Sequence, residues 1–77
     1  MNKLTPEQYQ RCCEWMNRCA EHYGWAPMSA SRVENGVDWV LSLNRETLAR
    51  NVLYVAEHGE PHPQSHNAVW FYAQKGA

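Results

Sequence analysis

The chain has 77 residues, with seven Lys and Arg against eight Asp and Glu, and an aromatic load of four Trp, four Tyr and one Phe. A chain of this length buries only roughly 60% of the surface its unfolded form exposes, so one small domain fits. The formal net charge of −1 is spread without runs, which excludes the electrostatic footprint of a duplex nucleic-acid or anionic-membrane binder.

In chain order, the polar start MNKLTPEQYQ has no apolar core of signal-peptide or membrane-span length. Three cysteines, two of them adjacent, make a closed disulfide framework a poor fit. A cytosolic protein with reduced thiols is expected. Thr5-Pro6-Glu7-Gln8 then reads as a helix start with a capping box, and Gly24 as the matching stop. Between them Tyr9, Cys12, Cys13, Met16, Cys19, Ala20 and Tyr23 fall in one stripe at ~100° per residue. The spacing predicts an amphipathic helix over about 6–23, with Glu7–Arg11 and Glu14–Arg18 as i,i+4 pairs on its outer side.

Next, Asn35-Gly36 lies between β-branched flanks, a strong short-range hairpin signal. It predicts strands near 29–34 and 37–43. A three-residue Glu34-Asn35-Gly36 loop is preferred over a two-residue turn, because it pairs Val33 with Val37 and keeps Trp39 and Leu41 on the same face. Asn44 reads as the cap of a second helix over about 45–58, with Gly59 as its stop. "EPHPQSH" is a loop on its proline content. "NAVWFYAQ" carries β-branched and aromatic residues with no helix signal at either end, and predicts a third strand over about 67–74 ahead of a frayed tail.

The expected fold is therefore α+β in the order α-β-β-α-β: a single small domain over 1–77, with a three-stranded mixed sheet and two helices packed on one face.

Four constellations bear on chemistry. Cys12, Cys13, Cys19 and His22 do not converge on a metal, since adjacent cysteines on a helix diverge by ~100° and no C-x-x-C is present. The thiols lie in the apolar stripe and His22 outside it, so they read as small core hydrophobes. The spacing of His58, His62 and His66 would align three imidazoles on a helix, but Gly59, Pro61 and Pro63 interrupt it. Ordinary solvated loop histidines are expected, with a zinc-stabilised loop and a pH-responsive contact as alternatives. Ser29 and Ser31 lack any nucleophile elbow or carboxylate pair, and no cofactor or enzyme activity is expected.

The fourth constellation is the aromatic surplus. On a strand, Trp70 and Tyr72 share one face, opposite Val69, Phe71 and Ala73, and with Val40 they form an apolar patch that the two helices leave uncovered. Either this patch is exposed, or Trp25 and the proline-rich loop fold over it. The expectation is a small cytosolic interaction module, an accessory, inhibitor or adaptor protein of the size phages and mobile elements encode. It would bind another protein or itself through the patch or an outer strand edge. A single-stranded nucleic-acid binder is the alternative, with Trp70 and Tyr72 stacking bases while Arg32 and Lys75 reach phosphates. The net negative charge weighs against nucleic acid, and no membrane partner is implied.

Overall fold

The computed structural model describes residues 4–76. Met1–Lys3, read as part of the polar start, and Ala77, the end of the tail, lie outside them. The described residues form four helices and no strand: α1 (Pro6–Tyr23), α2 (Ala30–Ser42), α3 (Glu46–His58) and α4 (Ala68–Lys75). The fold is all-helical, which overturns the α+β expectation with its three-stranded mixed sheet.

α1 forms as its sequence signals dictate. The Thr5 hydroxyl accepts from the Gln8 N–H at 3.2 Å, and the Thr5 N–H donates to Gln8 Oε1 at 2.8 Å. At the other end Gly24 turns left-handed at φ 77°, and its N–H and that of Trp25 both return to the Ala20 carbonyl. Burial is rotated from the predicted stripe: Cys12, Trp15, Cys19 and Ala20 are buried, Tyr9, Cys13 and Met16 half-buried, and Tyr23 exposed. Trp15 enters the core because α4 packs on that flank of α1. The predicted outer ion pairs do not form. Arg11 Nη1 donates to the Ala56 carbonyl at 2.9 Å, near the C-terminus of α3, and Arg18 lies 4.8 Å from the centre of the Phe71 ring.

The predicted hairpin is helix α2. Ser29 caps it, its hydroxyl accepting from the Arg32 N–H at 3.3 Å. Val33, Val37, Val40 and Leu41 recur at i, i+4, i+7 and i+8, a helical period that runs straight through Asn35-Gly36. Helix geometry puts Val33 and Val37 in the core with Cys12, Cys19 and Val55, a gain the isolated turn signal does not weigh. Gly36 stays out of the left-handed region that a type I′ turn demands.

Asn44 is the left-handed residue of the α2–α3 turn, at φ 59°, rather than a cap; Arg45 precedes α3 without a side-chain capping bond. Gly59 ends α3 at φ 72° as its sequence predicts. The predicted third strand is helix α4, and the physical reason is visible in burial. Phe71 is 4% exposed and Val69 79%, although strand alternation would put them on one face. Ala68, Phe71 and Tyr72 instead follow helical spacing. With aromatic and β-branched residues of modest helix propensity, α4 is held by its side chains: Phe71 meets Trp15 edge-on at 5.3 Å, and Trp70 stacks on Trp15 at 5.6 Å.

Candidate functional site

With no sheet, the residues singled out as one surface separate into two. Trp70 is half-buried, and its indole stacks on Trp15 and, at 3.9 Å, on His22. Those partners stand seven residues apart on α1, about 10.5 Å along its axis, so the indole fills the space between them. Its Nε1 donates to Asn67 Oδ1, which also accepts from the Tyr23 hydroxyl at 2.6 Å. Tyr72 donates its hydroxyl to the Pro61 carbonyl at 2.9 Å, and burial raises its pKa. The proline-rich loop thus covers Tyr72 and α1 covers Trp70, while Trp25 remains 53% exposed, stacked on Tyr23. Lys75 pairs with Glu60 at 2.7 Å. The exposed aromatic sheet face, and the strand edge beside it, are absent among the described residues.

The histidines also part. His58 and His62 both lie against the Tyr54 ring, while His62 and His66 line one cleft that His58 does not reach, and no group of three or more His, Cys, Asp or Glu is placed to hold a metal among the described residues. That cleft, about 220 Å³ between α1, α3 and the proline-rich loop, falls below the ~300–1,000 Å³ usual for small-molecule sites. Its one unusual feature is the buried Ser65 hydroxyl, which has no hydrogen-bond partner among the described residues. Ser29 serves as a helix cap and Ser31 lies beside it. Burial pushes the Cys12 and Cys19 thiols up to about 11, the nearby Cys13 adding to the effect at Cys12, so both are protonated and poorly nucleophilic at neutral pH.

Arg32 and Val40 remain together on α2, where a groove of about 350 Å³ opens to solvent. Met16 of α1, Met28, Val33, Gly36, Val37, Val40 and Val52 of α3 line it, with Trp39 and Arg32 completing the wall. Trp39 is 63% exposed. Leu48, one turn before Val52 on α3, extends the exposed apolar surface. Arg32 brings the only charge to this lining, and its guanidinium has no carboxylate partner among the described residues.

Met28 is fixed in the groove wall by Asn17. The Asn17 amide donates to the Met28 carbonyl at 3.2 Å and accepts from the Met28 N–H at 2.7 Å, with a further bond to the Cys13 carbonyl at 3.1 Å. On the other flank of α2, Tyr9 donates to Asp38 at 2.5 Å, a bond that raises the pKa of the phenol and keeps this carboxylate engaged with α1.

Sequence reasoning missed Trp39, Gly36, Met28 and Asn17. The signal available for the first two was the four-residue recurrence of Val33 and Val37, which turns Trp39 outward as soon as the segment is helical.

Comparison of the chain with protein-family models, curated proteins and solved structures finds no match. No described helix is long and apolar enough to cross a membrane.

Proposed function

We propose that this chain is a small non-catalytic interaction module, an accessory, inhibitor or adaptor protein, that binds another protein through the α2 face. The observation that carries the reading is Trp39, 63% exposed on the rim of an apolar groove. Tryptophan carries a large apolar surface and is enriched among interface hot spots. With a total burial of ~150–250 Å², the exposed share is on the order of 100–150 Å², and covering it is worth about 3 kcal/mol. The surrounding Met and Val surface supplies the apolar centre that contact sites need.

The test is site-specific photocross-linking in cells that naturally express the protein, with the photoreactive residue in place of Trp39 and, as a control, in place of the still more exposed Val69 of α4. A discrete protein adduct from position 39 and none from position 69 is expected. Absence of an adduct at 39, or identical adducts from both positions, refutes the assignment of this surface.

A further inference from the structure

We propose that the α2 groove receives an amphipathic helical segment of another protein, about two turns of it in contact, whose apolar face carries an Asp or Glu that pairs with Arg32. This rests on the reading of the α2 face as the binding surface and specifies its partner.

Gly36 is the starting point. It stands mid-helix, where glycine is unfavourable, yet nothing among the described residues requires it. It is absent from the left-handed region, and a Cβ built on it meets no heavy atom within 4 Å. It does lie in the groove lining, one turn from Arg32 and one turn from Val40. The missing side chain leaves a notch midway along the groove, which allows close approach by the backbone of a partner.

The form of the partner follows from the lining. The span from Arg32 to Val40 is about 12 Å, or roughly two helical turns, the length read by anchors at i, i+3 or i+4, and i+7. α2 has no free backbone edge onto which a strand could add, and the wall carries one aromatic ring rather than the paired rings that grip a polyproline segment. Met16 and Met28 give a wall that adjusts to aliphatic side chains.

Charge fixes the remaining feature. A partner seated on the groove takes Arg32 out of water, which is costly unless a carboxylate meets it. A second copy of this chain packed groove to groove supplies none, because the lining contains no acidic residue.

The experiment is selection of a displayed library of helical peptides, randomised along one face, on the full chain. Enriched peptides are expected to share apolar residues at helical spacing with a flanking Asp or Glu. Their affinity is expected to fall roughly tenfold or more on Arg32→Glu, and to recover when the peptide carboxylate is exchanged for Lys. Gly36→Leu fills the notch and is expected to abolish binding while unfolding no earlier than the parent chain. Peptides that lack an acidic residue, or that ignore Arg32→Glu but are lost on Trp39→Ala, overturn the carboxylate pairing and leave the α2 face standing. Peptides that bind Trp39→Ala and Gly36→Leu unchanged, an absence of enrichment, or dimerisation abolished by Gly36→Leu, overturn the proposal.

Discussion

Replacing Gly36 with alanine should make this protein more stable, although the same substitution in a hairpin turn would damage it. In α2 the residue has ordinary helical backbone geometry, and the new methyl group meets no heavy atom within 4 Å. No packing strain offsets the intrinsic gain. Alanine is better than glycine in a helix interior by about 0.8–1.0 kcal/mol, part of which arises from lost freedom of the unfolded chain. For a domain of this size about 1 kcal/mol corresponds to roughly 4–8 °C in Tm. Urea denaturation followed by circular dichroism should show a higher midpoint with an unchanged slope. Gly59→Ala is the natural contrast, since Gly59 sits at φ 72°, where a Cβ costs roughly 1–2 kcal/mol; its midpoint should fall. If Gly36→Ala is destabilising like Gly59→Ala, the residue occupies a left-handed turn, and the helical account of 30–42, with the groove built on it, is wrong.

Three further outcomes test the packing. Asn17→Ala removes the amide that holds both backbone groups of Met28; the loss should be about 1–3 kcal/mol, with faster amide exchange at Met28, and unchanged exchange there would contradict the bridging role. Alkaline titration probes the core thiols. Cys12 and Cys19 hold their protons up to about 11 when folded, whereas an unfolded cysteine loses its proton near ~8.5. Between these values the unfolded state binds fewer protons, so stability is fully present below about pH 8.5 and falls as pH rises towards 11. Urea midpoints measured across that range should decline, and a Cys12→Ala, Cys19→Ala chain should show a shallower decline; identical profiles would refute the buried-thiol account. In the native state half-buried Cys13 should alkylate before the other two.

The sequence by itself determined the elements whose signals are local and redundant. α1 has a capping box, a periodic apolar stripe and a glycine stop, and α3 has a periodic arc and Gly59; each signal names the same structure without reference to distant residues. It also placed Cys12 and Cys19 in the core, because their angular position on α1 lies within the apolar stripe, whereas Cys13, at the edge of that stripe, is only half-buried. Asn35-Gly36 and "NAVWFYAQ" were different. Both segments carry local preferences that favour a strand, and packing overrode them. Val33 and Val37 reach the core only when the residues between them are helical, and Phe71 reaches Trp15 only when Val69 turns to solvent.

The candidate site was legible to the same extent. Arg32 and Val40 were in view and remain together, while Trp70 and Tyr72, prominent in the sequence, became the cement that fixes α4 to α1 and to the proline-rich loop. Which aromatic residue faces solvent is set by the rotation of one helix against another. Tertiary packing therefore decided that Trp70 is internal and Trp39 external, because only the packed structure fixes which side of each helix is left without a neighbour.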